Sequence, residues 1–128
     1  MKVVFISDIE ELVSMDKVGT FACLINTRSD ILDMRGNDQQ TAYLYAAEHG
    51  SLEFLKMLAE SKADIEAVDN RNRTALHLAV RSNNHETAQW LCQNYSAMIN
   101  AKDTAKGYTP LWVALEGQKT DCIKLLQK

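Results

Sequence analysis

The sequence has 128 residues, the size of one domain, and its 46% hydrophobic and 24% charged residues are typical of a globular fold. The formal net charge of −3 argues against nucleic-acid binding, which favours a clustered excess of Lys and Arg. No apolar run approaches the roughly 20 residues of a membrane-spanning helix, so membrane insertion is not predicted. The first eight residues contain a short apolar run without a cleavage site and do not indicate a signal peptide.

The first predicted unit, residues 1–33, is a helix pair with a polar outer side. Ser7 and Glu10 form a Ser-x-x-Glu capping box, which marks a helix start. Apolar residues at three-residue spacing from Val18 to Leu24 predict a second helix. The outer positions of the first helix are acidic and polar, as expected of a terminal unit of a stack.

Residues 34–66 form the second predicted unit. Thr41 is expected to cap a short first helix, because its hydroxyl can accept a backbone N–H of the first turn. Gly50 is expected to end that helix. Leucines at three-residue spacing from Leu52 to Leu58 predict the apolar side of a second helix.

Two further units, residues 67–100 and 101–128, repeat this pattern. The capping threonine recurs 33 residues later at Thr74 and 35 residues after that at Thr109. Pro110 then stands at the first helical position, where its missing N–H costs nothing. No unit can bury both sides of its helix pair alone, so neighbouring units are expected to stack.

These copies resemble the ankyrin repeat family over residues 7–128. The family motif Thr-x-Leu-His-x-Ala is complete as Thr74, Leu76, His77 and Ala79. The resemblance implies an all-α solenoid of stacked antiparallel helix pairs joined by β-hairpin-like loops, forming a single domain over 1–128. It also implies a scaffold that binds a client protein and is not an enzyme.

Several residues depart from the family pattern. Arg28 and Lys62 stand at helix-ending positions where the family has Gly, so each must adopt a left-handed conformation or relax the turn, at about 1 kcal/mol. Trp112 replaces the motif His, and packing between repeats is the favoured interpretation. If exposed, it would instead be an anchor for a partner. Trp90 is interpreted as a core residue.

The titratable residues are given structural rather than catalytic roles. His77 is expected to pack and to hydrogen-bond neighbouring loops, as in the family. His85 and Glu86 are adjacent on a helix and do not face each other. No nucleophile has a positioned base, and no catalytic, cofactor-binding or metal-binding motif is present, so none of these sites is predicted.

The cysteines number three, and no two of them have C-x-x-C spacing. Widely spaced thiols in odd number favour reduced cysteines packed as small apolar groups. The predicted localisation is therefore cytoplasmic, with the nucleus or a host-cell cytosol as alternatives.

The resemblance also implies where a partner binds, namely the hairpin fingertips and the concave face of the first helices. The fingertip residues are Asn37, Asp38, Gln40, Asn70, Arg71, Arg73, Ala105, Lys106 and Tyr108. The residues on the first-helix face are Glu48, His49, Arg81, Ser82 and Glu116, with Trp112 added in its exposed interpretation.

The charges of this surface follow a pattern. A basic middle repeat is flanked by acidic neighbours, and the residues concerned are Arg71, Arg73, Arg81, Asp38, Glu48 and Glu116. Because the planar guanidinium of Arg can hold a carboxylate with two hydrogen bonds, the hypothesis is a partner with an acidic or mixed-charge segment.

Two alternatives concern the chain as a whole. It can be the amino-terminal targeting or regulatory domain of a larger enzyme, channel or regulator whose activity lies beyond residue 128. The last unit also lacks a recognisable polar cap. The chain is therefore expected to be a fragment, or else a monomer or a weak dimer that pairs through its C-terminal repeat.

Overall fold

The computed structural model describes residues 6–49, 51–104 and 106–127, and within them all side chains except those of Ile6, Ser7, Asn37 and Ala97. The described chain forms the α-helices α1 Ile6–Ser14, α2 Val18–Thr27, α3 Ala42–His49, α4 Leu52–Glu60, α5 Ala75–Arg81, α6 His85–Asn94, α7 Pro110–Glu116 and α8 Thr120–Leu126. Short 3₁₀ turns lie at Ser29–Asp33, Asn37–Gln39 and Ser96–Asn100.

The helices form two layers of a solenoid. Consecutive helices pack as the pairs α1–α2, α3–α4, α5–α6 and α7–α8. Across the pairs, α1, α3, α5 and α7 contact one another in sequence, and α2, α4, α6 and α8 form the second row in the same way. None of the residues that the structure describes lies in a β-strand, so the predicted all-α repeat solenoid is confirmed. In the described part of the chain no helix is long and apolar enough to cross a membrane.

The core runs through the whole stack rather than filling one centre. Leu44, Leu76 and Leu78 are completely buried, and each such burial stabilises the fold by about 1.5–3 kcal/mol. Phe21 of α2 and Phe54 of α4 meet edge to face with ring centroids 5.2 Å apart. This aromatic contact joins two neighbouring helix pairs, because α2 and α4 belong to adjacent units.

Trp90 also packs against this core. It is half-buried and makes an edge-to-face contact with Tyr95, with ring centroids 5.5 Å apart. Its predicted core position is confirmed, although its side chain is not fully enclosed.

Helix capping follows the predicted threonines in two of three units. Thr41 Oγ1 accepts the backbone N–H of Leu44 at 3.4 Å, and Thr74 forms a reciprocal capping box with His77. Thr109 stands at the N-cap of α7, but its side chain makes no capping hydrogen bond, so that part of the prediction is wrong. Pro110 occupies the first turn as predicted and already removes one of the unpaired donors of this helix.

The start of α1 differs from the prediction as well. The helix already contains Ile6 and Ser7, so Ser7 is not its N-cap. Packing stabilises this helix rather than a capping residue, because Ile9 and Val13 on its apolar side are completely buried. The side chain of Ser7 and the predicted helix-ending Gly50 lie outside the described residues.

The two residues at family glycine positions behave differently. Lys62 has φ +70°, in the left-handed region that favours glycine. Arg28 has φ −138° and instead relaxes the turn, while its guanidinium pairs with Asp30 at 2.8 Å. Each residue thus takes one of the two predicted routes.

Hairpin-like loops connect the pairs, and we call them hairpin 1 (residues 36–40), hairpin 2 (69–73) and hairpin 3 (103–108). Each closes with a backbone hydrogen bond from its first N–H to its last carbonyl, at 3.0, 3.2 and 2.9 Å. Hairpin 3 is one residue longer than the others. The interval from Thr74 to Thr109 exceeds that from Thr41 to Thr74 by two residues, and this turn accounts for one of them.

Backbone hydrogen bonds also link adjacent hairpins. Asn70 N–H in hairpin 2 donates to the carbonyl of Asp38 in hairpin 1 at 2.9 Å. Thr104 N–H in hairpin 3 donates to the carbonyl of Arg71 in hairpin 2 at 2.8 Å. The three fingertips therefore form one continuous edge of the molecule.

Candidate partner-binding surface

The structure brings most of the predicted partner-binding residues to the surface. The exposed ones are Asp38, His49, Asn70, Arg71, Arg81, Ser82, Lys106, Trp112 and Glu116, while Glu48 and Tyr108 are half-buried. The side chain of Asn37 and the whole of Ala105 lie outside the described residues.

Two fingertip residues are not at the surface. Gln40 and Arg73 are each only 7% exposed, so the expectation that they present their side chains to a partner is wrong. Arg73 turns under hairpin 2, where its Nε donates to Asp69 Oδ2 at 2.7 Å. Asp69 Oδ1 accepts the backbone N–H groups of Arg71 and Arg73, both at 2.9 Å.

This carboxylate holds the shape of hairpin 2. Burial raises the pKa of Asp69, but the backbone donors of Arg73 and Arg71 and the Arg73 guanidinium outweigh it, and the pKa lies below its usual value. Arg73 is thus a structural residue, because it neutralises a carboxylate that has no exposed surface.

His77 links two repeats and has the structural role predicted for it. Its Nδ1 accepts the backbone N–H of Thr74 at 3.2 Å, which leaves the ring proton on Nε2. Nε2 then donates to the carbonyl of Tyr108 in hairpin 3 at 2.8 Å. Because the ring is completely buried, desolvation lowers the pKa of His77 and keeps it neutral.

The flanking acids lie close to the predicted basic centre. Arg81 Nη1 is 3.5 Å from Glu48 Oε2 of the preceding repeat, and Arg73 Nη2 is 3.7 Å from Asp38 Oδ2. Two of the three arginines are thereby paired by carboxylates one repeat away. In the part of the chain that the structure describes, Arg71 has no ion pair.

A groove lies between hairpin 2 with α5 and hairpin 3 with α7. It has a volume of about 280 Å³. Its charged lining residues are Arg71, Arg73, Arg81, Lys106, Lys119, Asp103 and Glu116. Lys119, at the N-cap of α8, was not among the predicted residues, since nothing in its own repeat shows that it faces the preceding one.

Aromatic side chains border this groove. Trp112 is 57% exposed and stacks on Tyr108 with ring centroids 6.1 Å apart, so the favoured interpretation that it packs between repeats is wrong. Lys106 Nζ lies 5.5 Å from the centroid of the Tyr108 ring and 3.2 Å from a carboxylate oxygen of Glu116. Leu115, 39% exposed, is the second large apolar side chain of α7 at the surface.

Trp112 occupies the repeat position of His77 but makes a different contact. His77 reaches a carbonyl of the next hairpin, whereas Trp112 stacks on Tyr108 of its own repeat.

Two of the cysteines are held as thiols by their surroundings. Burial raises the pKa of Cys92 and of Cys122, which keeps both groups as thiols. All three cysteines are free, and within the described ranges no cluster of three or more His, Cys, Asp or Glu could hold a metal ion.

Stacked helix pairs with linked fingertips define a repeat scaffold. The family model described as ankyrin repeats (3 copies) matches residues 12–103 and also 64–128, and the chain therefore belongs to the ankyrin repeat family. Ankyrin repeats generally mediate protein–protein interactions and are typically not catalytic, which implies a protein partner.

Relatives show the same repeats in different settings. Over 82 residues the chain is 39% identical to neurogenic locus notch homolog protein 1 of Homo sapiens, covering 64% of this chain and 3% of that protein. It is 41% identical over 70 residues to Delta-latroinsectotoxin-Lt1a of Latrodectus tredecimguttatus, covering 54% and 6%. An I-Kappa-B like protein of Microplitis demolitor bracovirus (isolate Webb) is 32% identical over 114 residues, covering 85% and 64%. The chain thus spans only a small part of the notch protein.

Proposed function

We propose that this chain holds a client protein on its concave face, with the surface around hairpin 3 and α7 as the main contact. The observation that carries the proposal is the exposed Trp112–Tyr108 stack beside the groove. Aromatic residues of this kind dominate binding energy at interfaces, and an exposed Trp on a scaffold is a candidate anchor.

The client segment is proposed to be acidic or of mixed charge. Arg71 supports an acidic partner, because its charge is not neutralised within the described chain. Lys106 and Glu116 support a mixed-charge partner, because both side chains of this pair are exposed and can interact with a ligand at the surface. Arg73 and Gln40 have no part in the proposal.

The test compares the anchor with a matched apolar side chain. Affinity capture with the intact chain identifies a client by mass spectrometry, and its Kd is then measured by titration calorimetry. Trp112→Ala is expected to weaken binding at least tenfold, which corresponds to about 1.4 kcal/mol. Met15→Ala, which removes a side chain of α1 that is also 56% exposed, is expected to leave the Kd unchanged. Equal effects of the two substitutions would exclude the proposed surface.

A second candidate is a targeting or regulatory domain within a larger enzyme, channel or regulator. The observation that favours it is the small share of the notch protein, 3%, that the matching segment represents. A transcript whose reading frame continues beyond residue 128 into another domain supports this candidate. A stop codon directly after residue 128 in the native transcript refutes it.

The compartment and the assembly are proposed on separate grounds. Three free cysteines, two of them wholly or partly buried, support a reducing compartment and hence the cytoplasm.

The exposed Leu115 and Trp112 support a monomer that dimerises weakly through the C-terminal repeat. Sedimentation equilibrium at increasing concentration measures this, and a purely monomeric mass at high concentration would exclude the dimer.

A further inference from the structure

The groove beside α7 differs in charge from the rest of the molecule. The chain carries a formal net charge of −3, yet five cationic side chains and two carboxylates line this cavity. Within the described residues neither Arg71 nor Lys119 has an ion pair. The groove therefore contains two cationic side chains that no carboxylate of the described residues neutralises.

The other charged groups of the groove differ in how easily they can change partners. Arg81 and Lys106 have exposed side chains in their pairs with Glu48 and Glu116. The Lys106–Glu116 pair is exposed on both sides and contributes little net stability, so a ligand can replace it, whereas Glu48 is only 14% exposed and retains Arg81. Arg73 cannot change its partner, because its Nε donates to the buried carboxylate of Asp69.

The second carboxylate of the groove, beside that of Glu116, is held by hairpin 3. Asp103 lines the groove, but its Oδ1 accepts the backbone N–H groups of Lys106 and Tyr108, both at 3.1 Å. Burial raises the pKa of Asp103, and these backbone donors outweigh it and lower the pKa below its usual value. The carboxylate thus belongs to hairpin 3 and leaves Arg71 and Lys119 to an outside ligand.

Size limits the ligand to a few side chains. A volume of about 280 Å³ lies near the lower end of ligand pockets and suits a short segment of chain rather than a folded surface. The Tyr108–Trp112 stack next to it offers an apolar surface for a neighbouring side chain.

We infer that this groove is a carboxylate subsite, in which Arg71 and Lys119 bind adjacent acidic side chains of an extended client segment. The apolar residue that follows them packs on the Tyr108–Trp112 stack. This inference rests on the proposed function and names the chemistry of the client at one place on its surface. Arg71 contributes a planar fork that matches a carboxylate, and Lys119 a compact charge.

The test uses a defined probe, a fluorescein-labelled peptide with a Glu-Glu-Leu core between glycines. Its binding to the intact chain is measured by fluorescence anisotropy at low salt, and the contacted residues are mapped by ¹H–¹⁵N NMR. Saturable shifts of the Arg71 Nε–H and of the hairpin 3 amides are expected. A Gln-Gln-Leu peptide is expected to bind at least tenfold more weakly. Equal binding of the two peptides, or shifts elsewhere on the molecule, would overturn the inference.

Substitutions then identify the ligands. Arg71→Gln and Lys119→Gln are each expected to weaken the Glu-Glu-Leu peptide about tenfold, because each removes one charge-assisted contact. Lys56→Gln, which removes an exposed charge on α4, is the matched control and is expected to have no effect. Urea midpoints equal to that of the unsubstituted chain show that the variants are folded. Unchanged binding by the folded Arg71→Gln and Lys119→Gln variants would refute the assignment.

Two further outcomes separate this inference from related ones. A peptide with phosphoserine in place of both glutamates tests the nature of the anion, and binding of that peptide alone would refute a carboxylate subsite. With an identified client, loss of binding in Trp112→Ala but not in Arg71→Gln or Lys119→Gln would refute the subsite and leave the proposed function standing. Loss of binding in none of the three would refute both.

Discussion

Replacing Arg73 with Gln is expected to destabilise the fold, whereas the same replacement at the neighbouring Arg71 is not. The side chain of Arg73 is 8% exposed and donates to a carboxylate of Asp69 that has no exposed surface. Arg71 contributes only backbone groups to the hairpins, its N–H to Asp69 and its carbonyl to Thr104, and its side chain is exposed. The two arginines are two residues apart and differ in role.

The magnitude follows from what each substitution leaves behind. Arg73→Gln removes one charge-assisted hydrogen bond and leaves Asp69 buried without its counter-charge, and breaking such a pair costs about 3–5 kcal/mol. Asp69 retains its two backbone N–H donors, so the lower end, about 3 kcal/mol, is expected. For a chain of this length that corresponds to a fall in Tm of about 10 °C. Arg71→Gln is expected to change the free energy of unfolding by less than about 0.5 kcal/mol.

Urea denaturation followed by circular dichroism at 222 nm measures both variants against the unsubstituted chain. Arg73→Lys adds a useful comparison, since it restores the charge without the planar fork and is expected to recover only part of the loss. If Arg73→Gln is as stable as Arg71→Gln within the error of the extrapolation, the assignment of Arg73 to the interior of hairpin 2 is wrong.

Three other predictions test the fold. Lys62→Gly is expected to stabilise by about 1 kcal/mol because φ is +70°, while Arg28→Gly, at φ −138°, gains nothing and is the control; equal shifts in urea midpoint would contradict this. Because burial lowers the pKa of His77 in the folded state, its contribution is complete well above its ordinary pKa of 6.5 and is lost as the pH falls through 6.5 towards the lower folded value. His77→Gln is expected to remove this part of the pH profile of unfolding, and an unchanged profile would argue against a buried neutral ring. Phe54→Ala is expected to cost about 3–5 kcal/mol by leaving a cavity against Phe21, and a calorimetric loss below about 1 kcal/mol would contradict the edge-to-face contact between α2 and α4.

The features predicted well from sequence are those fixed within one unit. The Thr74 cap, the apolar spacing of the second helices and the first-turn Pro110 depend on residues at most four apart, so a linear pattern contains them. The copies recur in phase along the chain, and this recurrence predicts that the units stack, because no helix pair can bury both of its sides alone. The family assignment follows from the same residues and is confirmed.

The features predicted poorly depend on the neighbouring unit. Trp112 is 57% exposed, whereas His77, at the same repeat position, is completely buried, and the difference lies in what packs on each residue from outside its own unit. Arg73 resembles a fingertip charge in sequence, and only its fold-back towards Asp69 shows its structural role. Lys119 belongs to the turn before α8 and reaches the groove through the approach of two repeats. Local sequence has no signal for such contacts.

The backbone hydrogen bonds between hairpins have a consequence for recognition. Because Asn70 N–H and Thr104 N–H are held by the carbonyls of the preceding hairpins, these loop-tip amides are expected to resist deuterium exchange despite their place at the edge of the molecule. Neighbouring tips therefore keep a constant separation. A rigid client must match that interval, while an extended segment can adjust to it by rotating its own bonds.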